Sequence, residues 1–214
     1  QASSTGLEID SANHTIRDVT VNNTTSGSGI LESGVNNTYE NVTVTNSSTE
    51  GFEIGVSESV STNATLRNVT VEDNAADGII ANEGDGVLLS NVTAVDNGEH
   101  GVRLEIPETV RDLTATDNDG DGLKATADAD EATITDVTAK RNDDGIEISV
   151  ANATVRDAVV TNNNDYGVSA IGVVNNTFDN VTITRHGRTG IRLGEGGTLV
   201  DSVVRNNTQD DSYT

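Results

Sequence analysis

The sequence predicts an all-β solenoid of about nine coils of about 23 residues each, and three observations predict it. An Asp or Asn recurs at Asp18, Asn41, Asn68, Asn91, Asp112, Asp136, Asp157, Asn180 and Asp201, at steps of 23, 27, 23, 21, 24, 21, 23 and 21 residues. Buried columns flank it. Two residues earlier stand Ile16, Tyr39, Leu66, Leu89, Val110, Ile134, Val155, Phe178 and Leu199; directly after stand Val19, Val42, Val69, Val92, Leu113, Val137, Ala158, Val181 and Ser202. A Gly followed by an apolar residue returns in phase at Gly6, Gly29, Gly51, Gly78, Gly101, Gly122, Gly145, Gly167 and Gly190.

Each element of a coil follows from a local rule. Val42-Thr43-Val44, Val69-Thr70-Val71 and Val181-Thr182-Ile183 alternate inward and outward, the period of a half-buried strand. The Asp or Asn before them separates two inward columns of opposite parity, so the chain must bend there, and these side chains tolerate the left-handed conformation. The Gly-led segment, as in Gly145-Ile146-Glu147-Ile148, is a further strand, its Gly expected to turn a similar corner. One coil therefore holds three short strands and three turns. No segment sustains helical spacing, and the unit is too short for a four-stranded propeller blade. A single domain covers 1–214, with regular coils over about 6–207 and one longer coil at Val56 to Asn63. Stacked Val, Ile, Leu and Ala columns give a thin, continuous core that suits a chain with 2% aromatic residues.

The run N-V-T-V-x-N-N followed by G-I-x-I resembles the right-handed parallel β-helix repeats of pectate-lyase-like and carbohydrate-binding surface proteins. The resemblance extends from about Gly6 to Asn207. It implies a right-handed parallel β-helix and leaves activity open, because lyases, hydrolases, epimerases, tailspikes and inert surface proteins share that fold.

Twelve basic residues stand against 35 acidic ones, for a net charge of −23, and ten of the twelve are Arg. Such a surface repels nucleic acid and anionic membranes, and it resembles that of proteins from extreme halophiles. No cysteine is present, which excludes disulfides and thiolate metal sites. N-glycosylation sequons begin at Asn13, Asn22, Asn23, Asn36, Asn41, Asn46, Asn63, Asn68, Asn91, Asn152, Asn175, Asn180 and Asn206 and point to an extracellular or cell-surface location. Those at Asn41, Asn68, Asn91 and Asn180 follow from the bend column itself; Asn13, Asn63 and Asn152 lie outside it and carry more weight as acceptors. No signal peptide or membrane-spanning run is present, and a start at Gln1 rather than Met suggests a processed or trimmed form.

The Gly-led strand and the turn before it collect the candidate chemistry. Outward positions there are Glu8, Leu31, Glu53, Ile80, Arg103, Lys124, Glu147, Ser169 and Arg192, one per coil at about 5 Å spacing. The adjoining turns add His100, Asp119, Asp121, Asp143, Asp144, Asp165, Tyr166, His186 and Arg188. From this strip, Lys124, Asp143, Asp144, Glu147, His186 and Arg192 form the candidate acid–base and cation set for an acidic sugar. Asp143-Asp144 and His186-Gly187 are similar to the paired aspartates and G-H-G of polygalacturonase-like hydrolases, although Arg185 stands where the first Gly would be. No cofactor is required. Asp117-Asn118-Asp119-Gly120-Asp121-Gly122 has the D-x-D-x-D-G spacing that can turn Asp117, Asp119 and Asp121 toward one calcium ion, with Asp128 at the twelfth position.

Two functions fit. The first is a non-enzymatic, glycosylated cell-surface protein whose half-buried end coils stack on further copies, as a filament or sheath, or on more of a longer chain. The alternative is a polysaccharide-binding or polysaccharide-degrading module built on the strip.

Overall fold

A computed structural model describes residues 5–55, 63–84, 86–106, 108–126, 129–209 and 212–213. The longer coil expected at Val56 to Asn63 falls outside them except for Asn63, and so does Asp128. Eight-residue strands, Thr15–Asn22, Thr38–Thr45, Thr65–Glu72, Leu88–Val95, Thr109–Thr116 and Thr133–Lys140, alternate with three-residue strands from Leu7–Ile9 through Ile30–Glu32, Phe52–Ile54, Ile79–Ala81, Val102–Leu104 and Leu123–Ala125 to Ile146–Ile148. In the last three coils the long strand is split in two, as at Thr154–Arg156 and Val159–Thr161, and short strands Val168–Ala170, Ile191–Leu193 and Ser212–Tyr213 complete the series.

Like pairs with like, always parallel and one coil on: the short strands form a 10-stranded sheet and the long strands and their halves a 12-stranded one. Counted as rungs, the long sheet has nine, separated by eight steps of about 23 residues. The register equals the sequence columns, with Val42 on Val69, Val69 on Val92, Val92 on Leu113 and Leu113 on Val137. From Val42 to Val181 every residue of that column is 1% exposed, so one apolar stack runs through the molecule.

All nine Asp/Asn bends have φ between 45° and 55°, the left-handed region. Three separate strands per coil, as the sequence suggested, result only in the last three coils. In six rungs the bend lies inside a continuous strand, because the residues on both sides keep their hydrogen bonds to the next coil. Two further corners per coil are also left-handed. One holds Asn13, Asn36, Asn63, Glu131, Asn152 and Asn175; the other holds Asn23, Asn46, Asp73, Asp96, Asp117, Arg141, Asn162, Arg185 and Asn206.

The Gly column has a different cause from the expected corner. A Cβ on Gly122 would lie 2.7 Å from the Gly145 carbonyl oxygen and 2.7 Å from the Asn142 amide, so close stacking of coils excludes a side chain. Behind this column runs an internal amide ladder. The Asn97 amide donates to Asn118 Oδ1 at 2.8 Å, Asn118 to Asn142 at 2.9 Å and Asn142 to Asn163 at 3.3 Å, while each backbone N–H donates to the same oxygen. Burying these amides is affordable only because each finds its partner one coil away.

Candidate functional site

Two stacked columns on the short-strand side bring the chemistry together. The residue before each Gly supplies Asp77, His100, Asp121, Asp144 and Tyr166, and the outward residue of each short strand supplies Arg103, Lys124, Glu147, Ser169 and Arg192. The first column is fixed by the backbone of the following coil. Asp77 Oδ1 accepts the His100 N–H at 2.9 Å, His100 Nδ1 accepts the Asp121 N–H at 2.8 Å, Asp121 Oδ1 accepts the Asp144 N–H at 3.2 Å, and Asp144 Oδ1 accepts the Tyr166 N–H at 2.8 Å.

Lys124 is the centre of the strip. Its Nζ donates to Glu147 Oε2 at 2.6 Å and to Asp121 Oδ2 at 3.2 Å. Asp121 is buried, and burial together with Glu147 pushes its carboxyl up to about 7 despite the Lys124 ammonium. Burial likewise raises Asp144 and Asp77, each to about 6. Glu147 goes the other way: burial opposes ionisation, but hydrogen bonds with Lys124, Asp121 and Ser149 and the Lys124 charge together outweigh it and hold the carboxyl below its ordinary value. Burial and the nearby Lys124 and Arg103 cations lower His100 to about 4. His100 is thus neutral at pH 7, with Nδ1 an acceptor and the proton on Nε2. A carboxyl poised near neutrality beside an ammonium suits proton transfer to or from a bound molecule. Asp121, Asp144 and Glu147 also offer oxygens within 4.8 Å of one another, the donor set of a hard cation.

Of the candidate set, Lys124, Asp144 and Glu147 converge. Asp143 is exposed beside them. His186 is elsewhere, at 2% exposure in the amide ladder, where Nδ1 accepts the Asn163 N–H and Nε2 donates to the Val160 carbonyl. It substitutes for an asparagine, so its likeness to a hydrolase motif has a packing cause. Arg192 lies further along the strip, where its Nη1 and that of Arg188 donate to Tyr166 Oη at 3.1 and 3.3 Å. The D-x-D-x-D run does not converge: Asp117 sits half-buried at a left-handed corner clasped by Arg141, Asp119 is exposed, and Asp121 belongs to the Lys124 cluster.

All thirteen sequon asparagines are exposed, and twelve, all but Asn22, have positive φ. Asn13, Asn63 and Asn152 stand in a corner column of their own, two residues before the Thr that opens a long strand. The weight placed on them as independent signals therefore falls away; backbone geometry accounts for them as it does for Asn41. Asp77, which ion-pairs with Arg103 at 3.4 Å, was missed, although its place before Gly78 is the signal that would have found it.

Solved structures share this architecture. A mutant of the periplasmic alginate epimerase AlgG superposes with a TM-score of 0.77 at 14% identity, over 88% of this chain and 50% of that one. The A-module of the Azotobacter vinelandii mannuronan C-5 epimerase AlgE6 gives 0.62 at 21% identity, over 90% and 51%. Pectate lyase Pel9A gives 0.62 at 16% identity, over 84% and 56%. At such identities the likeness is one of fold, and the chain spans about half the length of these structures. No curated protein matches the sequence. The family described as the right handed beta helix region matches residues 5–172 and 106–212, and with the parallel one-coil register seen throughout, the chain belongs to that family.

Proposed function

We propose that the protein is an extracellular polysaccharide-handling β-helix module whose ligand lies across the short-strand sheet at Lys124. The observation that carries this reading is the convergence of Lys124 with Asp121, Asp144 and Glu147 on one outward face. Three similar structures bear names that specify alginate, mannuronan and pectate, all polymers of uronic acids. In this reading Lys124 meets the sugar carboxylate, ionised Glu147 holds Lys124 in place, and Asp121 exchanges a proton with the ring. The test is binding and product analysis with polygalacturonate and alginate, in the presence and absence of calcium. Unsaturated uronate is read by absorbance and C5 inversion by NMR. Lys124→Gln is expected to weaken binding at least tenfold. A wild-type protein that binds no glycan, or a variant that binds as well as wild type, overturns the reading.

A structural reading draws on a different observation. Leu7, Ile9, Ile16, Val19 and Val21 on the first coil and Leu199 and Val204 on the last are only partly buried. Further coils of a longer chain, or a second copy stacked end to end, would cover them. Sedimentation of the natural protein separates the two, because stacking makes its mass rise with concentration. N-glycans at the exposed corners are compatible with both readings, and mass spectrometry of the natural protein locates them.

A further inference from the structure

We propose that Arg188, Arg192 and the Tyr166 hydroxyl form an anion subsite that binds a carboxylate or sulfate group of the polysaccharide. This rests on the polysaccharide reading and adds to it a second point at which the charged glycan is held. Three observations carry it.

First, the group is made of hydrogen-bond donors, of which only Arg188 is already paired with a carboxylate, Asp165, among the described residues. Tyr166 Oη accepts from Arg192 Nη1 at 3.1 Å and from Arg188 Nη1 at 3.3 Å, so its lone pairs are used, and among the described residues its own proton has no acceptor. Second, Arg192 is half-buried, and among the described residues no carboxylate lies within ion-pair distance of it. Among the described residues Arg192 is the one half-buried arginine without a carboxylate in ion-pair distance, in a chain with 35 acidic residues against twelve basic ones. Its place is set instead by the Tyr166 ring, 5.1 Å from the Arg192 guanidinium and 5.6 Å from that of Arg188. Arg188 is fixed from the other side by Asp165 at 2.6 Å. Third, the group is continuous with the Lys124 centre. Arg192 is two rungs from Glu147 in the same outward column, about 10 Å away, and the Tyr166 backbone donates to Asp144. One extended glycan can therefore reach both places.

Planar guanidinium groups meet carboxylate and sulfate oxygens through paired N–H donors, which a lysine cannot imitate. The experiment is calorimetric titration at fixed ionic strength with polygalacturonate, dextran sulfate and uncharged dextran. It compares wild type with Arg192→Gln, Arg188→Gln, Tyr166→Phe and Lys124→Gln, all checked for unchanged melting. Arg192→Gln is expected to raise Kd for at least one charged polymer tenfold or more, with a smaller rise for Tyr166→Phe. Whether polygalacturonate or dextran sulfate shows the loss identifies the group as carboxylate or sulfate. If charged-polymer binding survives both arginine variants but falls with Lys124→Gln, the subsite is overturned and the polysaccharide reading stands. Binding confined to uncharged dextran overturns the subsite and the carboxylate contact of Lys124 together. If wild type binds none of the three, the subsite and the polysaccharide reading are both overturned.

Discussion

Asn142 has no exposed surface, and its side chain makes four hydrogen bonds: its oxygen accepts the Asn118 backbone N–H and side-chain amide, and its amide donates to the Ala115 carbonyl and to Asn163 Oδ1. Asn142→Ala strands these groups in the interior, and at 1–3 kcal/mol per orphaned group a loss of about 3 kcal/mol is expected in urea unfolding. His186→Asn restores the ladder's usual residue and is expected to change stability by less than about 1 kcal/mol in the same assay. The pH dependence comes from the strip. Asp121, Asp144 and Asp77 have folded values raised above their ordinary 3.8, so the unfolded chain ionises first, and they cost stability as pH rises toward about 7. His100, lowered from 6.5 to about 4, acts oppositely and loses stability as pH falls through that window. Three raised carboxyls outweigh one lowered imidazole. Unfolding free energy is therefore expected to increase as pH falls from about 8 to about 5, and Asp121→Asn should flatten the part of the slope nearest neutrality. The sequence showed the strip, with Lys124, Asp144 and Glu147 on it, but not the place of Asp121 among them. Asp121 looked like the end of a D-x-D-x-D run because linear spacing suggested a loop, whereas its real neighbours, His100, Asp144 and Glu147, lie 21 to 26 residues away.

At the scale of the element, the corner is the unit that the sequence specifies best. An inward column that changes parity admits only a bend, and Asp or Asn at all nine positions told where it falls. The other two corners were less legible because their residues vary: Arg141 and Arg185 hold positive φ without an amide side chain, and Gly86 and Gly196 replace Asn in the corner column of Asn13. Each neighbouring rung fixes the register of such a corner, so tertiary pairing overrides local preference there. The amide ladder was hidden for a related reason. Asn-rich turns read as solvent-facing, and nothing local reveals that the second Asn points inward. Val137, between Leu113 and Ala158 in the central apolar stack, provides the sharpest test of register. Val137→Asp places a charge there without a partner, and destabilisation on the order of 4 kcal/mol is expected at pH 7. An unchanged melting curve for that variant would remove Val137 from the interior.

For the whole molecule, a net charge of −23 stacked at coil spacing is a source of self-repulsion, visible where Asp73, Asp96 and Asp117 follow one another along a single corner. Raising salt from about 0.1 M to above 1 M shortens the screening length from about 10 Å to about 3 Å. Thermal unfolding at pH 7 is expected to shift upward by several degrees over that range. A midpoint indifferent to salt would mean that pairs such as Arg17 with Glu40 and Arg141 with Asp117 already balance the field locally. Charge was fully legible from composition; its distribution into columns required the register. That register also governs how the molecule comes into being. Each rung hydrogen-bonds only to the rung before and the rung after, so every pairing closes a loop of about 23 residues whatever its position. Once two coils have docked, each later segment adds to an edge that already exists, at nearly constant entropic cost. A chain delivered from one end, by synthesis or by passage through a membrane channel, can thus wind up as it arrives.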